Sequence, residues 1–194
     1  MDLIKKVERF IITGETVGDQ KEGLWFCEDR GQVKGRLPHW FKLLEAWTRD
    51  NNQASLISAI LGELANNSFD HNLGKWKDTP GCMIGLSIQS KVILLVAADR
   101  GQGIISSLGK QLPEKTTPKE VMRVAFEERI SGRAPEQRGN GLKFIREEMD
   151  GQHHRLFCLS ANTIYQKGEL SFDLNLKALK KAPGTLSVIE WSLL

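Results

Sequence analysis

What this chain has little of narrows its function first. It carries three cysteines, Cys27, Cys82 and Cys158, far apart and in no Cys-x-x-Cys spacing. An odd, scattered set argues against a disulfide framework or a zinc site and points to buried thiols in a reducing cytoplasm. No apolar run approaches the ~20 residues that a membrane-spanning helix needs. The start, Met1-Asp2-Leu3-Ile4-Lys5-Lys6, lacks the apolar stretch and small-residue cleavage site of a secretory signal. A cytoplasmic protein without membrane contact is the expectation. The net charge of +3 is slight, and basic pairs occur only at Lys5-Lys6 and Lys180-Lys181, which argues against a nucleic-acid partner. Internal repeats and low-complexity tracts are missing too.

What remains is an ordinary globular composition over 194 residues, long enough for one domain with a real core. Residues 3 to 12 fit neither strand alternation nor helical period well and are open to either reading. Leu24-Trp-Phe-Cys27 reads as a short strand. Pro38 stands where a helix can start, and Trp40, Phe41, Leu43, Leu44 and Trp47 follow at helical spacing. A second helix is expected from about Gln53 to His71. The runs from Cys82 to Ile88 and from Val92 to Ala98, joined by Gln89-Ser90-Lys91, predict a hairpin. Thr117-Pro118 with Glu120 at the third position predicts a helix to about Glu128. A loop over Arg129 to Arg138 leads into a helix from Gly141 to Met149. Arg155 to Ala161, Glu169 to Leu176 and Leu186 to Trp191 read as an antiparallel meander. The class is α+β with a largely antiparallel sheet.

Three stretches carry the chemistry. On the 53–71 helix, at about 100° per residue, Glu63, Asn67 and His71 form a narrow polar strip. It borders the apolar stripe of Leu56, Ile57, Ile60, Leu61 and Leu64. An amide oxygen such as that of Asn67 suits magnesium, which takes hard oxygen ligands and keeps several waters. A carboxylate one turn away, Glu63, can orient and deprotonate a hydroxyl or a water. His71 can touch phosphate or brace the helix. Asn66, Asp70 and Asn72 lie off the strip and read as surface or capping residues.

The other two stretches are glycine turns. Asp99-Arg-Gly101-Gln-Gly103 follows an apolar strand, where a carboxylate can accept a hydrogen bond from an exocyclic amine such as adenine's. A capping Asp in an ordinary turn fits the same residues. Gly139-Asn-Gly141-Leu142 opens a helix whose free N–H groups suit phosphate. Neither turn is a Walker loop or a dinucleotide fingerprint. Among Arg129, Arg133 and Arg138, the last adjoins the glycine turn and is the first choice for neutralising phosphate.

In this order the three stretches resemble the motifs of the GHKL ATPase superfamily, which includes gyrase-type topoisomerases, large heat-shock ATPase chaperones, histidine kinases and MutL proteins. Glu63 to His71 is similar to the N box, Asp99 to Gly103 to the first glycine box, and Gly139 to Leu142 to the second. The resemblance implies a Bergerat-type two-layer sandwich, a mixed, mostly antiparallel sheet with helices on one face. It implies ATP and magnesium as cofactors. Asn67 would bind the metal, Asp99 the adenine amine, and Gly101, Gly103, Gly139 and Gly141, with Leu142 beside them, the nucleotide. Residues 104 to 138 would contain a lid.

Glu63 and His71, four residues either side of Asn67, look more like the bacterial anti-sigma-factor serine kinases than like histidine kinases. Glu63 would there be the base for a serine hydroxyl. The expectation is an ATP-binding regulatory switch, a serine/threonine protein-kinase-like enzyme acting on a protein partner that it phosphorylates or sequesters. Binding without turnover, simple hydrolysis and a detached histidine-kinase-type catalytic domain are the alternatives, and a homodimer is compatible. On this reading residues 51–194 are the ATP-binding domain. Residues 1–50, with Trp25, Trp40 and Trp47, are an extension packed on it and a candidate interface. A gyrase-like member, which takes a lysine from a following domain, and an autonomous histidine kinase, which carries a dimerisation helix with a phosphoacceptor histidine, are not expected.

Overall fold

Alternation along one strand organises the molecule. The computed structural model describes residues 2–16, 23–72, 74–128, 140–150 and 153–193. In β3 (Val92–Asp99), Ile93, Leu95 and Ala97 face one hydrophobic cluster, while Leu94, Val96 and Ala98 face another. Side chains alternate along a strand, so a strand buried on both faces reads as one apolar run. Asp99 continues the odd-numbered face.

Around β3 lie β1 (Leu24–Cys27), β2 (Cys82–Gln89), β4 (Arg155–Ser160), β5 (Thr163–Lys167) and β6 (Thr185–Ser192). They form a six-stranded sheet in the order β1-β2-β3-β6-β4-β5, with every pairing antiparallel. The main helix layer covers one face: α2 (Arg30–Thr48), α3 (Asn51–Asn72), α4 (Gly103–Leu108), α5 (Pro118–Glu127) and α6 (Gly141–Glu148). The protein is therefore α+β, a sandwich of an antiparallel sheet and a helix layer. The opposite face is covered by α1 (Asp2–Thr13), through Leu3, Ile4, Val7, Phe10 and Ile11, and by Leu179 of the short α7 (Leu176–Leu179).

Caps decide where these helices begin. Asp50 Oδ1 accepts from the backbone of Asn52 at 2.9 Å and of Gln53 at 3.2 Å, which starts α3. The expected Thr117/Glu120 capping box is formed at α5. The expectation that α2 starts at Pro38 is corrected: the helix begins at Arg30, where Asp29 Oδ1 caps Gln32 N at 2.9 Å. Pro38 lies on the exposed side of that helix, where the carbonyl it leaves unpaired meets solvent. Residues 2–13 resolve to helix, with burial at helical spacing.

The C-terminal region differs in two ways. The strand after β4 is Thr163–Lys167, not residues 169–176. In that later segment Leu170, Phe172 and Leu174 pack against the α1 side without joining a ladder. β6 then inserts between β3 and β4, so the three strands are not a sequential meander. Residues up to 50 supply β1 to the sheet and α2 to the helix layer. Trp25 and Trp40 are core residues, and Trp40 Nε1 donates to Gly23 O at 3.2 Å. Trp47 and Leu43, 47% and 37% exposed, remain on the surface of α2. Among the described residues no helix is long and apolar enough to cross a membrane.

Candidate functional site

The polar strip of α3 ends beside the last residue of β3. α3 packs on the sheet through Ile57, Ile60, Leu61 and Leu64, which turns its partly exposed Asn67 and His71 towards the strand ends. Asn67, Ser68, His71 and Asn72 from α3 line one cavity with Asp99, Gly103 and Ile104 of the turn after β3. Leu142 of α6 and Thr185 and Ser187 of β6 complete the wall. Its enclosed part has room for about one or two water molecules, so a purine requires the walls to part. The side-chain amide nitrogen of Asn67 is buried there without a hydrogen-bond partner.

Asp99 is buried, at 3% exposure. Its Oδ1 accepts from Asn72 Nδ2 and from Gly101 N, both at 2.9 Å. Burial pushes its carboxyl up to about 6, against the opposing pull of hydrogen bonds from Gly101 N, Ser68, Asn72 and the Thr185 backbone. Asn72 Oδ1 in turn accepts from Gln102 N at 3.0 Å. A Cβ on Gly101 would stand 1.9 Å from the Asn72 carboxamide carbon, so glycine is needed for this close approach. Gly103 takes a φ of +76°, and the next residue, Ile104, donates its N–H to Ser160 Oγ at 2.8 Å.

The turn is anchored from outside as well. Arg100, between Asp99 and Gly101, points away from the cavity. It binds Asp78 through Nε at 2.7 Å and Nη2 at 2.5 Å, and its Nη1 donates to Ile11 O in α1. That pair holds the Asp78 carboxyl down at about 2.

Glu63 is placed differently from its two partners on the strip. It does not line the cavity; its carboxylate lies against Gly141 at the start of α6. Burial, and then the charge of Asp70, raise its carboxyl above the ordinary glutamate value. Asp70 itself pairs with Arg30 of α2.

Of the residues singled out in the sequence, Asn67, His71, Asp99, Gly103 and Leu142 thus meet at one cavity. Gly101 sits behind Asn72, and Glu63 meets Gly141 next to it. Arg138 and Gly139, with Arg129 and Arg133, lie outside the described residues. The assignment of Asn72 to a surface or capping role is corrected: the residue is 1% exposed and braces Asp99. No motif in the sequence marks Ser68, Thr185 or Ser187, which line the same cavity. Helical stepping from Leu61 through Ala65 and Ser68 reaches Asn72 on the buried face. Likewise Thr185 and Ser187 share the inward parity of Ile189 and Trp191 in β6.

Among the described residues no group of three or more His, Cys, Asp or Glu side chains is placed to hold a metal ion. A cation at Asn67 would therefore need oxygen ligands beyond these side chains. Comparison of the chain with family models, curated proteins and solved structures returns no match.

Proposed function

We propose that this chain is an ATP- and magnesium-binding regulatory protein of the GHKL kind. In this reading it is a serine/threonine protein-kinase-like switch acting on a protein partner in the cytoplasm. One observation carries the proposal: stretches of sequence separated by about thirty and forty residues, each suited to a different part of a nucleotide, line a single cavity. The Asp99 carboxylate is the acceptor for the adenine amine. Gly101 leaves room for the Asn72 carboxamide and Gly103 for Ser160 Oγ, which lets the turn pack closely beneath Asp99. Asn67, which lines the cavity, offers an amide oxygen to the metal, and its buried nitrogen is a donor without a partner. On this reading the free backbone N–H groups at the start of α6, next to the cavity-lining Leu142, are the donors to phosphate. ATP bound with magnesium supplies the transferable phosphoryl group. Glu63, with a raised carboxyl, serves as base for the hydroxyl that receives it.

A second reading, a nucleotide-dependent binding module without turnover, is favoured by one feature. The Glu63 carboxylate is turned towards Gly141 rather than into the cavity. Calorimetry with ATP and magnesium tests the premise common to both. Binding at or below millimolar concentration is expected, and no heat at millimolar nucleotide would reject both readings.

A further inference from the structure

We propose that Asn72 is a positioning residue for base recognition: its carboxamide fixes the Asp99 carboxylate and the turn after it, so that the site takes an amino purine in preference to an oxo purine. The inference rests on the nucleotide reading and adds the source of its base selectivity.

The geometry links three segments through one side chain. Asn72 ends α3, is buried, and donates from Nδ2 to Asp99 Oδ1 at 2.9 Å while its Oδ1 accepts from Gln102 N at 3.0 Å. Gly101 N reaches the same carboxylate oxygen at 2.9 Å. Gln102 Nε2 also donates to the His71 carbonyl, a second tie between the turn and the end of α3. Two donors converging on Oδ1 set the carboxylate plane and keep the group an acceptor. An exocyclic amine at the purine six position can donate to such a group. A carbonyl oxygen at that position presents lone pairs to it and is rejected.

Ser68 of α3 and the Thr185 backbone of β6 also hydrogen-bond the Asp99 carboxyl, but of its side-chain donors only Asn72 also holds the Gln102 amide of the turn. Cys82 stands opposite it on β2, and burial holds both that thiol and Cys158 of β4 protonated. His71 of α3 lines the same cavity, and Arg100 is directed to Asp78 and α1. Without the Asn72 amide the carboxylate loses the Nδ2 donor that links it to the Gln102 turn.

Two variants separate selectivity from folding. Asn72→Asp keeps the acceptor for Gln102 N but replaces the donor to Asp99 with a second carboxyl, and two facing carboxyls share a proton. The shared pair can donate as well as accept. The ATP-to-GTP affinity ratio, measured by calorimetry with magnesium, should then fall roughly tenfold or more. Hydrogen exchange at the Gln102 amide should stay near that of the unsubstituted protein. Asn72→Ala removes both contacts and should also speed exchange at Gln102 in the nucleotide-free protein by about tenfold or more. An unchanged ATP-to-GTP ratio in Asn72→Asp, with ATP still bound, would overturn this inference and leave the nucleotide reading standing. Unchanged Gln102 exchange in Asn72→Ala would overturn its structural half without any nucleotide present. If the unsubstituted protein bound neither nucleotide, the functional reading would fail and take this inference with it.

Discussion

The Glu63 carboxylate fills the space that a side chain at position 141 needs: a Cβ on Gly141 would stand 2.2 Å from Glu63 Oε2. The contact ties the acid proposed as base to the helix start proposed for phosphate. Substitution on either side therefore moves the same few atoms.

Gly141→Ala should displace the carboxylate at little cost to the fold, because the clashing atom ends a flexible side chain. A melting-temperature change of no more than about 5 °C is expected. Turnover should fall at least about tenfold, with ATP affinity changed less than about threefold. Glu63→Ala should likewise spare binding and abolish turnover. Steady-state assay beside calorimetry checks both variants, and full turnover in Glu63→Ala would remove Glu63 as base.

Arg100 calls for a different expectation, since its contacts lead away from the cavity. It is nearly buried, paired twice with Asp78 and bonded to the last turn of α1. Arg100→Met should lower stability by about 1–3 kcal/mol, since it removes the pair and leaves Asp78 half-exposed rather than buried. The Asp78 carboxyl is depressed, so its contribution is present above about pH 4 and lost as pH falls through about 2. Urea unfolding at pH 7 and at pH 3 measures both effects. Equal stability of variant and parent at pH 7 would count against the anchor.

How far the sequence went depended on whether a feature is local. The α3 strip, the β2–β3 hairpin and the α5 capping box each announce themselves within about twenty residues, and each is present. Leu170, Phe172 and Leu174 alternate as a strand would, yet they serve only to cover the α1 side of the sheet. Ser171, between them, is held instead by the Glu190 carboxylate, which accepts from its backbone N at 3.0 Å. Thr163–Lys167 has little apolar alternation because it is an edge strand with one fully buried residue. The insertion of β6 between β3 and β4 is a pairing across the whole sheet, and no local pattern encodes it. Asn72 lies off the polar strip, which suggests a surface or capping role. The burial of its neighbours on the same stripe outweighs that prior.

The cysteines offer a test independent of nucleotide. Cys27 and Cys82 face each other across β1 and β2, and Cys82 faces Asp99 across β2 and β3. All three cysteines are buried and free, and burial pushes the Cys27 thiol up to about 11 and Cys158 to about 12. Iodoacetamide at pH 7.5 should modify the folded protein at least about a hundredfold more slowly than it modifies the unfolded chain. Mass spectrometry after timed quenching reads the rates. Rapid labelling of Cys27 in the folded state would contradict the burial of β1 against α2.

Asp99 should link stability and, on the proposed reading, binding to pH with opposite signs. Its carboxyl is raised from 3.8 to about 6, so between those values the folded protein holds a proton that the unfolded chain has released. Stability should therefore fall as pH rises from about 4 to about 6, by an amount on the order of 1–3 kcal/mol. Glu63, also raised, adds to this slope; Asp78 opposes it only below about pH 4. Asp99→Asn should flatten the slope, because an amide does not titrate. Binding runs the other way: an amine donates to the ionised carboxylate, so adenine affinity should rise as pH increases through about 6. Adenosine, which has no phosphate to titrate, is the suitable ligand, and calorimetry from pH 5 to pH 8 gives the profile. A flat profile in the unsubstituted protein would mean that Asp99 does not receive the base. A rise that Asp99→Asn abolishes would place the amine on that carboxylate.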